Sequence, residues 1–390
     1  MKKIFWSFIF FTLFFSLPVL AVEDVIDDSV LVDPDEINLE IDKVDIKENN
    51  LNKTEKPILE AEVSKIEQLE EYIQKGLSIK IDGPLIDEIR FGGAYQGHLT
   101  YDHVYGSSND TVKYKIPVGD IYFLTKFADK KSEFKFMINP ARTVKDVNYF
   151  PGILQDIYFS TKPTENTRVL IGHSRTPIGV EGGQSQYTLL LAQRSQISRT
   201  YGNIRALGVK LTGDYKWADY NIGIYDSSRF FTNMFRGPEF TGWVNFKPLA
   251  NCDEEKYGKM LLGTGYNFGK RYNDYSVFGA YIGYEYKKLM LNAEYAYANG
   301  YNGVNNSRAS SDGFYTTVAY KIHPKVEIVG RYDIFNPNRD VRHNNRTEIT
   351  AGINYYVLGQ KLKFVLNYFF RINENDKNSN GLYFVTQFMI

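Results

Sequence analysis

From Asp87 to the C-terminus, apolar and polar residues alternate with a period of two. Ile89, Phe91, Gly93, Tyr95, Gly97, Leu99 and Tyr101 alternate with Arg90, Gly92, Ala94, Gln96, His98 and Thr100. Successive strand side chains point to opposite faces, so this spacing predicts a strand with one apolar, aromatic face and one polar face. The pattern returns with Leu289, Leu291, Ala293, Tyr295 and Tyr297 against Asn292 and Glu294. It returns again with Leu362, Phe364, Leu366 and Tyr368 against Lys361, Lys363 and Asn367, and Leu382, Phe384, Thr386, Phe388 and Ile390 close the chain. Sixteen such runs predict strands near 89–101, 119–128, 133–139, 153–161, 167–174, 205–213, 217–226, 240–247, 258–268, 275–286, 289–298, 313–322, 326–335, 347–357, 361–371 and 380–390.

The spacing of the runs predicts an all-β, 16-stranded antiparallel transmembrane β-barrel over 87–390. An even strand number suits a bacterial single-chain barrel. Many runs reach the roughly 9–11 residues that a tilted strand needs to cross a bilayer. Short turns such as Ala128-Asp129-Lys130-Lys131, Tyr286-Lys287-Lys288 and Leu358-Gly359-Gln360 interleave with long loops at 102–116, 140–152, 175–204, 227–239, 299–312 and 336–346. Outer-membrane barrels place short turns in the periplasm and long loops outside in this way. A soluble sandwich would need a second layer over every apolar face, and sixteen runs of one pattern offer none. In lipid the apolar face needs no cover. Tyr101, Tyr297, Tyr332 and Tyr368 near strand ends are then expected in interfacial girdles.

Upstream of Asp87 the pattern changes. Lys2 and Lys3, the largely apolar run Ile4–Leu17, Pro18 and Val19-Leu20-Ala21 read as a bacterial secretory signal over 1–21. Residues 22–52 form an acidic spacer: Val22 to Asn50 holds eleven carboxylates against Lys43 and Lys47. In 53–78, Leu59, Val63, Ile66, Leu69 and Ile73 fall on one helical stripe. The stripe predicts a short amphipathic helix that either pairs with identical chains as a coiled coil or packs on its own protein.

Composition narrows the class. The chain holds 30 Tyr, 27 Phe and 31 Gly at a mean hydropathy of −0.35, unlike a helical membrane protein or a disordered one. After the signal there is no run of 18 apolar residues long enough for a conventional membrane helix. A single Cys, Cys252, rules out an internal disulfide framework and any Cys-rich metal site.

Several segments resemble the phosphate-selective porin O and P family of outer-membrane proteins. They are Arg168 to Gly179 (RVLIGHSRTPIG), Leu191 to Gly202 (LAQRSQISRTYG), Ala206 to Gly213 (ALGVKLTG), Gly330 to Asp340 (GRYDIFNPNRD), Thr347 to Val357 (TEITAGINYYV) and Lys363 to Phe370 (KFVLNYFF). The order and spacing of these segments carry the resemblance, which spans most of 88–390. It implies a homotrimer of sixteen-stranded barrels, each with its third loop folded in to narrow the pore, and basic pore residues that select anions such as phosphate. Two departures stand out. Gln193 occupies a place where relatives often carry an acid, and the chain ends Phe388-Met389-Ile390 rather than in an aromatic residue.

Charge sharpens the reading. The whole chain is neutral, with 46 basic and 46 acidic residues, but 87–390 holds 37 basic and 28 acidic, a net of +9. A positive pore wall concentrates anions and repels cations. Arg90, Lys126, Lys135, Arg168, Lys210, Arg331 and Lys363 share the polar strand phase and are expected to face the lumen. Arg175, Arg194, Arg199 and Arg205 lie in or beside the 175–204 loop, with Arg194, Arg199 and Arg205 expected nearest the constriction. The Arg fork suits phosphate, carboxylate or sulfate. For each of these residues the rival role is a salt bridge to a lumen acid, such as Arg331 with Asp333 or Glu348.

The five His residues are scattered, and no His-Glu-x-x-His, Gly-x-Ser-x-Gly or phosphate-cradling loop is present, so neither an enzyme nor a cofactor or metal site is expected. Gly263-Thr264-Gly265 sits inside a strand pattern with no helix after it. Dispersed basic residues argue against nucleic acid as a partner. The expected partners are small anionic solutes, the outer-membrane bilayer of a bacterial cell and identical subunits. Two other readings stay open: a general or sugar-tolerant porin using lumen-phase Tyr281 and Tyr356, and a structural barrel tethered through its periplasmic helix.

Overall fold

The computed structural model describes residues 77–107, 110–142, 152–228, 235, 237–270, 273–301 and 308–390. The expected signal, acidic spacer and residues 53–76 of the helix lie outside the described residues. Sixteen strands form the ring: β2 (Ile86–Val104), β3 (Thr111–Phe127), β4 (Ser132–Ile138), β5 (Leu154–Thr164), β6 (Thr167–Arg175), β7 (Arg205–Tyr215), β8 (Ala218–Asp226), β9 (Pro238–Phe246), β10 (Lys259–Lys270), β11 (Asp274–Tyr286), β12 (Leu289–Asn299), β13 (Ser310–His323), β14 (Val326–Asn336), β15 (Arg346–Leu358), β16 (Leu362–Asn373) and β17 (Ser379–Met389). Each pairs antiparallel with the next, and β17 pairs back onto β2 from Ser379↔Val104 to Met389↔Ala94. The barrel is therefore closed, and every strand has a hydrogen-bonded neighbour on both sides.

All sixteen predicted runs are strands, and their phase is the one the sequence implies. In β13, Phe314, Val318, Tyr320 and Ile322 are exposed while Tyr315, Thr317 and Ala319 are buried. In β15 and β16, outward Ile349, Ile353 and Tyr368 oppose inward Glu348, Asn354 and Asn367. Tyr332 and Tyr368 stand exposed on the outer wall at the loop side, and Trp217, Tyr320 and Tyr355 do so at the turn side. Tyr101 and Tyr297 share the outward phase but are only partly exposed.

The structure departs from the expected plan at three places, two strand boundaries and one exception to the alternation of short turns and long loops. Leu77 and Ser78, expected at the end of the helix, instead open a short strand, β1 (Leu77–Lys80), paired from Leu77↔Phe91 to Lys80↔Glu88. The chain terminus, Ile390, bonds Gly93, so β1 takes over the edge of β2 where β17 ends and satisfies N–H and C=O groups left open there. Second, the expected loop 102–116 is mostly strand, because β2 and β3 stay paired out to Asp102↔Thr111. A register shift between Gln96 and His98 switches the outward phase of β3 from Tyr114 and Ile116 to Ile121. One slipped residue moves every side chain to the other face, which hid this strand from a strict alternation. Third, the turn-side connection 247–258 is long and holds a one-turn helix, α3 (Glu254–Tyr257), capped by Asp253. The loop-side connection 271–273 is short.

Gly263 and Gly265, motif-like in the sequence, have a packing role. They and Gly279 face inward beneath Trp243 of β9, whose indole lies against the positions their Cβ atoms would occupy and donates to Asn245 Oδ1 at 2.7 Å. Gly265→Ala should destabilise the barrel by about 1–3 kcal/mol through overpacking against this ring. Gly183→Ala, where a Cβ meets open space, should leave it unchanged. The check is the temperature at which the folded gel band converts to the unfolded one. By the same readout, a chain lacking 1–76 should keep the folded band, and one lacking 1–85 should lose it at lower temperature because the edge of β2 is uncovered.

Candidate functional site

Residues 176–204 connect β6 to β7 and turn into the lumen. Gly179 makes the first bend possible: its φ is +74°, and a Cβ there would collide with the carboxylate of Glu294. Helix α1 (Val180–Gly183) follows, and Glu294 of β12 accepts the N–H groups of Val180 and Glu181 at 3.1 and 3.2 Å and the Tyr315 hydroxyl at 2.9 Å. After a 3-10 turn (Gln186–Thr188), Ser195 caps helix α2 (Gln196–Tyr201), its Oγ accepting Ser198 N–H at 3.3 Å.

An irregular loop inside a barrel leaves backbone groups without partners, and the inner wall supplies them. Lys363 donates to the carbonyls of Tyr187 and Leu189 at 2.6 and 3.1 Å, and Asn354 to that of Leu190 at 2.9 Å. Asn367 accepts from Ala192 N–H at 2.8 Å, and Asp333 from Gln196 N–H at 2.7 Å. Apolar contacts follow the same arc. Ile178, Ile197 and Tyr201 pack with Val277, Ala296, Tyr315 and Phe335; Leu191 packs with Ala319 and Val329; Ala192 joins Val365, Phe369 and Val385; Tyr187 joins Ala94 and Val118. The loop thus lies on the wall from β11 through β17 to β2 and β3. Strands β4–β8 make none of these contacts among the described residues, and their inner face borders the passage.

Arg194 and Arg331, both 3% exposed, brace the loop instead of lining a pore. Arg194 donates to the carbonyls of Glu181 and Gln184, the latter at 2.7 Å. Arg331 contacts Glu181 Oε1 at 3.1 Å, the Gln193 carbonyl at 2.8 Å and Glu348 at 3.7 Å. Glu181 also accepts Ser195 N–H at 2.7 Å, so one loop carboxylate ties both helices to β14. Glu348 in turn holds Arg371 at 2.7 Å and Arg199 at 3.4 Å. Burial pulls the Arg194 guanidinium down to about 10, with Glu181 opposing, so it stays charged at neutral pH. Burial and the adjacent Asp120 push the Tyr187 phenol up and keep it protonated as the donor to Asp120.

Arg175 and Arg205 are brought together: they are direct cross-strand partners at the loop end of β6 and β7. Arg205 bonds Asp156 at 2.7 Å and Arg175 bonds Asn203. Arg142, from the connection after β4, lies within electrostatic reach of Arg205, as Lys135 does of Asp156 and Arg194 does of Arg175. Lys210, on the inward phase of β7, reaches the Arg175 carbonyl at 3.4 Å. Arg168 and Lys126 stand apart toward the turn end, bridged to Glu133 at 2.9 Å and Glu88 at 3.8 Å.

Sequence reasoning passed over Glu181, Glu294, Asp156, Arg142 and Arg371. Arg371 was within reach of it, since it follows Lys363 and Asn367 on one strand phase of β16. Arg142 was not, because nothing in a loop sequence says where the loop folds back.

The description of the phosphate-selective porin O and P family fits residues 249–387. With the closed sixteen-strand barrel, this makes the chain a porin of the bacterial outer membrane. No curated protein matches the sequence. Among solved structures, the porin is similar in fold to Salmonella typhi OmpF in complex with daunomycin (14% identity, 80% of this chain and 100% of that chain, TM-score 0.58). It is similar also to an anion-selective porin from Comamonas acidovorans (10%, 77% and 99%, 0.55) and to the outer-membrane channel DcaP of Acinetobacter baumannii (12%, 78% and 97%, 0.52).

The brace around Glu181 predicts how the porin responds to its loss. Glu181→Ala leaves Arg331 buried with part of its fork open, a defect of about 3–5 kcal/mol for a broken buried pair. The loop should come off the wall. Limited proteolysis should then cut within 180–200 while the folded band persists, and single-channel records should gain flicker that the parent lacks.

Proposed function

We propose that this porin passes small anions, phosphate among them, by passive diffusion past a basic constriction, as a homotrimer. The observation that carries this reading is the cross-strand pair Arg175 and Arg205, flanked by Arg142 and Lys135. Like charges directly opposite on neighbouring strands repel. The ion pair to Asp156 offsets one guanidinium, and the excess positive charge draws an anion into the passage. The family description and the anion-selective neighbour support the same class of solute, and the resemblance supports the trimer. The sugar-tolerant alternative is weakened at Tyr356, whose hydroxyl is already given to Glu327 at 2.7 Å.

The test is the reversal potential of purified porin in a planar bilayer under a salt gradient. The parent should prefer anions. Arg142→Glu with Arg175→Glu leaves the Arg205–Asp156 pair and the Arg194 and Arg331 braces in place and should turn the preference toward cations. Lys130→Glu, Lys131→Glu and Lys288→Glu, in exposed turns, should change it far less, since salt screens such charges over about 8–10 Å. A cation-preferring parent, or equal effects from the two sets, would overturn the reading.

A further inference from the structure

The hydrogen-bond ladder of the wall stops short along one edge of β3. That strand runs from Thr111 to Phe127, but β4 ends at Ile138, opposite Ile121. The Asn139 side chain carries the cover one step further, donating to the Pro117 carbonyl at 3.0 Å and accepting the Gly119 N–H at 3.2 Å. From Thr111 to Ile116 the strand pairs with β2 alone, and among the described residues nothing bonds its other edge. Thr111 to Pro117 are exposed on both strand phases. Antiparallel pairing turns the N–H and C=O of alternate residues toward the partner, so the rest of these groups point away from β2.

This edge is apolar on its outward phase. Val112, Tyr114 and Ile116 are 67, 58 and 37% exposed, and Lys113 and Lys115 fall on the opposite phase. Its rows belong to the apolar wall: Tyr114 stands opposite Leu99 and Leu99 opposite Phe384, while Val112 stands opposite Tyr101 and Tyr101 opposite Leu382. Leu99 and Leu382 are exposed outward as well. Below the edge the outward face continues through Phe123, whose ring lies 5.2 Å from Phe136 and 6.0 Å from Phe134. Lipid chains cover apolar side chains but offer nothing to a backbone N–H or C=O, so an open edge at membrane depth requires another polypeptide. That polypeptide must lie beside the wall in the same bilayer and at the same depth, and a neighbouring copy of this porin meets both conditions.

We propose that the open edge of β3, Thr111 to Ile116, is completed by an extended segment of a neighbouring copy of this chain, added as a strand, so that subunits are joined by backbone hydrogen bonds as well as by apolar side chains. The proposal rests on the homotrimer reading and supplies a surface for it. A strand edge on one subunit against a different segment of the next is a heterologous contact, and such contacts close into rings when the rotation allows.

The experiment is hydrogen exchange read by mass spectrometry on the full-length porin in mild detergent, as assembled and after dissociation by dilution, with native mass spectrometry giving the subunit number. Amides of Thr111 to Ile116 that face away from β2 should exchange about tenfold or more slowly in the assembly than in single subunits, because a backbone bond must first open. V112K/I116K puts two charges on the outward face of the edge and should raise the subunit concentration needed for assembly by about tenfold, with the folded gel band and reversal potential kept. V341K, at an exposed residue between β14 and β15, should assemble as the parent does. Edge amides that exchange equally fast in both states would overturn the proposal and leave the trimer standing, as would V112K/I116K assembling like the parent. Edge amides slow in both states would overturn it too, since the chain would then cover its own edge. A monomeric parent would overturn the trimer and this surface together.

Discussion

Backbone N–H and C=O groups find no water in hydrocarbon, and the cost of leaving each unsatisfied, several kcal/mol, is the constraint on which this structure rests. Closure of β17 onto β2 meets it around the wall. Below Gly93, where β17 ends and the edge of β2 would open, β1 pairs with Phe91 to Glu88 and completes the seam. The same accounting operates inside. The third loop is not a regular element, so its carbonyls and amides are matched one by one to Lys363, Asn354, Asn367, Arg331, Asp333 and Glu294. Polar residues on the inner face therefore serve first as hydrogen-bonding surface for the loop and only elsewhere as the lining of a passage.

That division places the chemistry. Because the loop covers the wall from β11 around to β3, charges on that arc are spent in structure: Arg331 with Glu181, Arg371 with Glu348, Lys363 with backbone. The opposite arc carries Arg175, Arg205, Lys135 and Lys210, the charges of the proposed constriction. A barrel wall is a cylinder of near-equivalent positions, and the loop is what makes those positions unequal. An arginine such as Arg331 on the covered arc is thereby a brace.

The outer surface obeys a second constraint. Phe, Tyr and Ile side chains face lipid along the wall, Trp and Tyr gather toward its ends, and cations stand beyond them. Lysine at the turns and mostly arginine at the loops both satisfy the need for charge at a membrane boundary.

The period-two pattern by itself determined the barrel: sixteen strands, their phase, and the face each side chain would take. These follow from local geometry, since alternation is a property of any extended chain with one apolar side. The sequence also marked Arg175 and Arg205 as neighbours of the long loop, and named Glu348 as a rival partner for Arg331. Only the tertiary structure decided that Arg194 and Arg331 hold the loop, that Glu181 ties its helices together, and that Arg142 joins Arg205. The β3 slip and β1 escaped the pattern for a related reason. A register shift and a seam strand are defined by the strand they pair with, and pairing across tens or hundreds of residues leaves no periodic trace in either segment alone.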